Sequence, residues 1–160
     1  MPKGYNAAEV LTMAVELERM GKSFYDAILH DLDDPRAREI FQILSDDEVR
    51  HEKLFQDMMH AVAPAGASEP GDPEIIAYFR ELMDSRIFPS PSEILRIREK
   101  LGDPAAGIRI ALTFEKDSIL FFHEMLVFAP DDDQPVIKQI IDEERDHLLR
   151  ILKLKQDLKL

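Results

Sequence analysis

Two Glu-x-x-His pairs in this sequence combine residue types that can bind a metal ion. Glu48 and His51 lie three residues apart, and so do Glu144 and His147. Residues three apart on an α-helix face the same side, so the carboxylate and the imidazole of a pair can bind one ion. A single pair at this spacing is common by chance, but a second copy in the same chain makes a metal site the stronger interpretation.

Both pairs stand in positions where a packed helix usually has apolar side chains. Residues spaced alternately by three and four form one face of a helix, and such a face packs into a bundle. The two stripes are Phe41, Leu44, Glu48, His51, Phe55 and Met58, and Ile137, Ile140, Glu144, His147, Ile151, Leu154 and Leu158. The sequence therefore predicts that both pairs are buried in a core, where they need partners.

Two further glutamates occupy the same kind of position and reveal an internal repeat. Glu18 and Glu115 each interrupt an apolar stripe of their own. The segment from Glu18 to Tyr25 aligns with the segment from Glu115 to Phe122 at an offset of 97 residues, and the two Glu-x-x-His pairs align at 96. This repeat predicts two helical hairpins related by a pseudo-twofold axis.

The boundaries of four long helices follow from local signals. A capping box begins the first helix, and an Asp-Pro step begins the second and the third. An Asp run precedes the fourth, and its carboxylates are expected to cap it. The predicted helices run from Asn6 to about His30, from Asp34-Pro35 to about His60, from Asp103-Pro104 to Pro130, and from Asp131–Asp133 to the C-terminal lysines. These signals predict an all-α four-helix bundle of two antiparallel hairpins with a long crossover.

The crossover itself contains a loop and two expected connecting helices. Residues 61–72 are rich in Ala, Pro and Gly without periodicity, which indicates a loop. A short helix is predicted from Asp72-Pro73 to about Arg86, and a second from Ser90 to Gly102.

Four carboxylates at one depth of a bundle need neutralisation. Burying an unpaired carboxylate costs several kcal/mol, against a total stability of about 5 to 15 kcal/mol for a typical protein. Two divalent cations would balance the four glutamates. Oxygen and nitrogen ligands without sulfur suit iron or manganese, and zinc is also possible. The predicted metal ligands are Glu18, Glu48, His51, Glu115, Glu144 and His147.

Composition narrows the class of protein further. The 160 residues fit one domain, 1–160, and there is no Cys to form a disulfide or a thiolate site. A net charge of -12 argues against nucleic acid and against an anionic membrane surface. Neither a signal sequence nor a run of 18 apolar residues is present, so we expect a cytoplasmic protein.

The motifs in the first and third helices resemble those of the rubrerythrin branch of the ferritin-like superfamily. The similar segments are Glu18-x-x-Gly21-x-x-Phe24-Tyr25 and Glu115-Lys116-Asp117-Ser118-Ile119-Leu120-Phe121. The resemblance covers about residues 7–60 and 103–152. It implies two Fe ions, with Glu48 and Glu144 as bridges, Glu18 and Glu115 as terminal ligands, and one histidine on each iron.

The same resemblance implies a non-haem di-iron oxidoreductase that reacts with peroxide or O2, receives electrons from an external reductant protein and forms a homodimer. Two alternatives stay open: a ferroxidase or iron-binding protein of ferritin type, and a structural bundle with a vestigial site. Rubrerythrins usually carry a Cys-rich domain for electron delivery and a further carboxylate one turn after the helix-three glutamate, where this chain has Ser118.

Four other side chains have groups that could act in a metal site. Tyr25 lies two turns after Glu18 on the same face, so its hydroxyl could donate a hydrogen bond to a metal ligand. Simple aromatic packing is the alternative. His30, His60 and His123 lie off the ligand stripes or near helix ends, and we expect none of them to bind metal.

Overall fold

The computed structural model describes residues 6–62, 72–86 and 104–160 of the chain. In chain order the helices are α1 (Ala7–Asp31), α2 (Pro35–Val62), α3 (Pro73–Arg86), α4 (Pro104–Phe128) and α5 (Gln134–Asp157). This arrangement confirms the predicted all-α bundle with four long helices. The predicted helix at residues 90–102 lies outside the described residues.

Local sequence signals determine where α1 and α2 begin. The backbone N–H of Glu9 donates to Asn6 Oδ1 at 2.9 Å, and the N–H of Asn6 donates to Glu9 Oε2 at 3.0 Å, which completes the predicted capping box. The N–H of Ala37 donates to Asp34 Oδ1 at 2.8 Å, so Asp34 caps α2 as predicted.

The start of α5 differs from the sequence-based expectation. Asp133 holds the N-cap position, but its side chain makes no capping hydrogen bond. Its carboxylate is instead hydrogen-bonded to the backbone of Ala7, at the beginning of α1. The prediction that this Asp run caps the fourth helix is therefore wrong for Asp133, because a contact with another helix replaces the local one.

Two antiparallel hairpins pair α1 with α2 and α4 with α5, and the hairpins meet through α2–α4 and α1–α5 contacts. The short α3 packs beside α4. Its buried Phe79 lies edge-on to Phe121, with ring centroids 5.6 Å apart, and Met83 is buried next to it. Aromatic packing of this kind stabilises the crossover helix against the bundle.

Candidate metal centre

A layer of polar side chains crosses the bundle between two apolar clusters. On α1 the buried apolar residues before Glu18 belong to one cluster and those after it to the other, and the same change of cluster occurs near the middle of α2, α4 and α5. The apolar residues above and below exclude water from the layer between them. The buried polar and charged residues include Glu18, Ser45, Asp47, Glu48, His51, Glu115, Ser118, Glu144 and His147.

The six predicted ligands form two groups that could each hold a metal ion. Group I consists of Glu18, His51 and Glu144, and group II consists of Glu48, Glu115 and His147. Within each group, one possible ligand atom of every residue lies within 4.8 Å of the others, and all six residues are buried. Each group combines residues of both hairpins, so the site forms only when the hairpins pack together.

Both histidines direct Nδ1 toward carboxylates of their own group. His51 Nδ1 lies 3.4 Å from Glu18 Oε2 and 4.0 Å from Glu144 Oε1. His147 Nδ1 lies 3.0 Å from Glu115 Oε1. The two imidazole rings meet edge-on, with centroids 4.5 Å apart, so groups I and II are direct neighbours.

Two residues beside the histidines were not predicted from the sequence. Asp47 is buried, its Oδ2 lies 3.5 Å from His147 Nε2, and it forms an ion pair with Arg50. Arg150 Nη2 lies 2.9 Å from His51 Nε2. Asp47 stands three residues after Leu44 and four before His51, a spacing that places it on the same helix face and could have revealed it. No such spacing relates Arg150 to His51.

Unsatisfied polar atoms mark the layer as fitted for cations. Buried polar groups almost always have hydrogen-bond partners, and exceptions need an explanation. Within the described part of the chain, the buried side-chain atoms that lack such a partner are Glu18 Oε2, Tyr25 Oη, Asp47 Oδ1, His51 Nδ1, Glu115 Oε2, Glu144 Oε1 and His147 Nε2. Five of these seven atoms belong to predicted ligands, and oxygen and nitrogen donors so arranged fit two divalent ions.

Burial changes the acidity of the glutamates in the absence of metal. Desolvation, reinforced by the charge of Glu144, raises the pKa of Glu18 well above its usual value. Desolvation and the charge of Glu115 raise the pKa of Glu144 as well. For Glu48 the same two causes raise the pKa to about 7. The clustered carboxylates therefore resist ionisation until positive charge is supplied.

The two histidines respond in opposite directions. Desolvation, together with the charges of His147 and Arg150, lowers the pKa of His51 to about 3. Burial alone would also lower the pKa of His147, but the carboxylates around it, that of Glu115 first, outweigh desolvation and raise it. The surroundings of the two imidazoles thus differ although their sequence motifs are the same.

Tyr25 is fully buried two turns along α1 from Glu18. Its hydroxyl has no hydrogen-bond partner among the described residues. Desolvation and the nearby carboxylates, that of Glu48 first, raise the pKa of Tyr25 well above its usual value, which places the phenol within the electrostatic field of the site. Its ring also packs against Phe24 and Phe41, so both predicted uses of this side chain agree with its position.

The remaining histidines and Ser118 lie where the sequence suggested. His30, His60 and His123 are exposed, and they are not members of group I or group II. Ser118 is buried one turn after Glu115, so a short hydroxyl stands where the rubrerythrin pattern has a further carboxylate.

A helical bundle with these two buried groups defines a ferritin-like diiron-carboxylate fold. The Rubrerythrin family profile matches residues 9–155, and the chain belongs to that family. A crystal structure of a Thermotoga maritima protein, described there as ferritin-like and diiron-carboxylate, is similar, with 26% sequence identity and a TM-score of 0.54. The similarity covers 94% of this chain and 95% of that one. Among curated proteins, none matches this chain.

Proposed function

We propose that groups I and II bind two metal ions, most naturally iron, and that the chain is a rubrerythrin-like oxidoreductase. In this proposal it reduces peroxide or O2 with electrons from an external donor. The observation that carries the proposal is the pair of buried Glu/Glu/His groups with unpartnered ligand atoms. Family membership supports the same chemistry.

Charge balance supports two divalent ions. Four ionised glutamates contribute four negative charges, and the raised pKa values of Glu18, Glu48 and Glu144 indicate that nothing in the described protein compensates them fully. Two cations would cancel these charges and satisfy the unpartnered oxygens at the same time. A structural bundle with a vestigial site would instead be expected to have lost some of the six ligands, and all six are present and buried.

The chain's own residues would hold and isolate the reacting centre. In the role assignment implied by the family, Glu48 and Glu144 would be shared by the two ions, and Glu18 and Glu115 would each hold one. Bound iron would supply the electrons that cleave the O–O bond of peroxide, which takes up two protons and two electrons to form two waters. The apolar clusters on both sides exclude bulk water, and the Tyr25 hydroxyl is placed to donate a hydrogen bond inside the centre.

A ferroxidase of ferritin type is the second candidate. Two observations favour it: the chain has no Cys, and buried Ser118 replaces the additional carboxylate of the rubrerythrin pattern. In that case the same two groups would bind Fe(II) and release Fe(III) rather than cycle with a reductant.

The proposal is tested by metal content and by single-turnover oxidation. Protein purified without chelator should contain about two metal ions per chain. The anaerobic Fe(II) form should be oxidised by peroxide faster than free Fe(II) in the same buffer. His147→Ala should abolish the difference, whereas His123→Ala, which changes an exposed histidine outside both groups, should preserve it. Oxidation no faster than that of free iron would refute the oxidoreductase.

Turnover and assembly separate the two candidates. With an added reductant, a peroxidase consumes many equivalents of peroxide per iron, whereas a ferroxidase stops after one cycle and accumulates Fe(III). Sedimentation adds a second criterion, because iron storage needs an assembly able to enclose mineral. We expect a homodimer, and finding dimers alone would exclude the storage role.

A further inference from the structure

The outward nitrogens of the two histidines face side chains of opposite charge. His147 Nε2 faces the carboxylate of Asp47 at 3.5 Å, and His51 Nε2 faces the guanidinium of Arg150 at 2.9 Å. In both histidines Nδ1 is the nitrogen that points to the other members of the group. Both Nδ1 atoms face carboxylates, so the neighbour of Nε2 is what differs between the two histidines, and it influences whether Nδ1 is available to a metal ion.

Asp47 favours the form of His147 that binds metal. A neutral imidazole has one N–H donor and one lone pair, and metal binding at Nδ1 requires the proton on Nε2. The Asp47 carboxylate lies 3.5 Å from Nε2 without a hydrogen bond in this structure, and its negative charge stabilises a proton on that nitrogen. Asp47 is buried, its Oδ1 forms an ion pair with Arg50, and its Oδ2 is the oxygen that faces His147.

Arg150 favours the opposite form of His51. A guanidinium has only donors, so at 2.9 Å the Nε2 atom of His51 must accept, and its proton must sit on Nδ1. That tautomer cannot bind a metal through Nδ1. Binding at group I requires the proton to move to Nε2 and the Arg150 side chain to withdraw. Arg150 is exposed, so it can turn toward solvent.

The internal repeat preserves the acidic character of the first neighbour but not the arginine. At the offset of 96 residues that relates the two Glu-x-x-His pairs, Asp47 corresponds to Glu143 and Arg150 corresponds to Leu54. Leu54 has no donor and cannot act on His147 as Arg150 acts on His51. The six ligands therefore follow the internal repeat, whereas the arginine beside His51 has no counterpart beside His147.

We infer that the two metal-binding groups have unequal affinities: group II binds the first ion, and Arg150 is a positioning residue that hinders binding at group I. The inference rests on the proposed two-metal site and adds an order of loading to it. Partners of ligating histidines commonly change metal affinity 10- to 100-fold, so we expect a gap of at least about tenfold between the two sites.

The tautomer of His51 provides a test that needs no metal. Long-range ¹H–¹⁵N spectra of the metal-free protein at pH 7.5 should show His51 with its proton on Nδ1. Arg150→Met keeps the length of the side chain and removes the donor, so the signal should shift toward the Nε2–H tautomer. Lys153→Met removes one positive charge from the same helix and should leave the signal unchanged. An Nε2–H tautomer of His51 in the unmodified protein would overturn the inference.

Calorimetric titration with Mn²⁺ tests the order of binding. The unmodified protein should bind two ions in two resolved steps. Arg150→Met should strengthen the weaker step about tenfold, Asp47→Asn should weaken the stronger step about tenfold, and Lys153→Met should change neither. Circular dichroism of each variant verifies that it is folded.

The outcomes separate this inference from the proposed function. Two ions bound with equal affinity, or the same result for Arg150→Met and Lys153→Met, would overturn the unequal sites and leave the two-metal centre standing. Failure of the folded, unmodified protein to bind Mn²⁺ or Fe²⁺ would overturn both.

Discussion

Several buried ligand atoms of the polar layer lack hydrogen-bond partners among the described residues, and this affects both the stability of the metal-free protein and its affinity for metal ions. Within the part of the chain that the structure describes, Glu18 and Glu144 in group I and Glu115 in group II each have a carboxylate oxygen without a hydrogen bond, and Nδ1 of His51 also lacks one. Leaving such atoms unsatisfied destabilises the metal-free fold, since each buried unpaired group costs about 1–3 kcal/mol. The same atoms are available for coordination, so the cost to the empty protein is part of the free energy that favours binding of ions.

Replacing Tyr25 by Phe distinguishes a functional hydroxyl from a packing residue. In metal-free protein the buried hydroxyl has no partner among the described residues, so Tyr25→Phe should leave stability unchanged or raise it by up to about 1 kcal/mol. In metal-loaded protein the variant should lose about 1.5–3 kcal/mol if the hydroxyl donates to an ionised ligand. Urea unfolding with and without Mn²⁺ measures both values, and the same effect in both states would assign Tyr25 to packing alone.

Removing a bridging glutamate should affect both ions, and removing a terminal one should affect a single ion. Glu144→Ala is therefore expected to bind fewer ions than Glu18→Ala, although both residues belong to group I. Metal analysis after dialysis against a fixed concentration of free Mn²⁺ gives the stoichiometry of each variant. Equal stoichiometry and affinity in the two variants would refute the assigned roles.

The ends of the helices are determined mainly by local contacts, whereas the positions of the ligands in the middle of the helices depend on contacts between helices. The caps made by Asn6 and Asp34 were predictable because each bonds a backbone N–H three residues away. The prediction that Asp133 caps its own helix was wrong, because its carboxylate is hydrogen-bonded to the backbone of Ala7 near the other end of the chain. Sequence spacing thus predicts what happens within a helix turn and does not identify partners on other helices.

In the candidate site, too, the sequence predicted the features within each helix but not the contacts between helices. The apolar stripes predicted burial of the six ligands, and all six are buried. The stripes did not indicate that Glu144 joins Glu18 and His51, because that grouping depends on how the hairpins face each other. The contact of Arg150 with His51 spans 99 residues, and no periodicity within either helix encodes it.

A glycine on α4 allows α4 to approach α2 of the other hairpin closely. A Cβ atom at Gly107 would lie 2.6 Å from ring carbons of Phe41, which is fully buried. Gly107→Ala should therefore destabilise the protein by about 1–3 kcal/mol through overpacking. The higher helix propensity of Ala offsets at most about 1 kcal/mol of that loss.

A double variant provides the control for this prediction. Phe41→Leu shortens the opposing side chain, so Gly107→Ala should cost clearly less in the Phe41→Leu background than alone. Urea unfolding of the two single variants and the double variant gives the coupling. Additive effects would mean that the close contact between Gly107 and Phe41 does not limit the packing.

The whole molecule combines a strongly acidic composition with a core that also concentrates acid. The net charge of -12 favours attraction of cations to the protein, and the bundle then offers a buried site with four glutamates. No helix in the described ranges is long and apolar enough to cross a membrane. Because this buried site of glutamates exists only in the folded protein, folding and metal loading should be linked, and the linkage should depend on pH.

The direction of that dependence follows from the pKa shifts in metal-free protein. Glu18, Glu48 and Glu144 have raised pKa values, so they stabilise the fold below the unfolded value of about 4.3, and the contribution is lost as pH rises, for Glu48 through about 7. His147 also has a raised pKa and acts in the same sense. The pKa of His51 is lowered to about 3, so His51 opposes folding as pH falls below about 6.5. Above pH 6.5 the metal-free protein should thus lose stability with rising pH.

Bound cations should reverse this trend, because they require ionised glutamates and neutral histidines and bind only the folded arrangement. Two ions, each at 100 times its dissociation constant, would add about 5 kcal/mol, which corresponds to roughly 10 °C or more in melting temperature for a chain of this size. Chelation should therefore lower the melting temperature by about that amount at pH 7.5 and by much less at pH 5. Calorimetric scans of Mn²⁺-loaded and chelated protein at both pH values measure the difference, with Glu18→Ala/Glu115→Ala as a control that should respond weakly to chelator. A melting temperature indifferent to iron, manganese and chelator at pH 7.5 would mean that the six residues do not form a metal site.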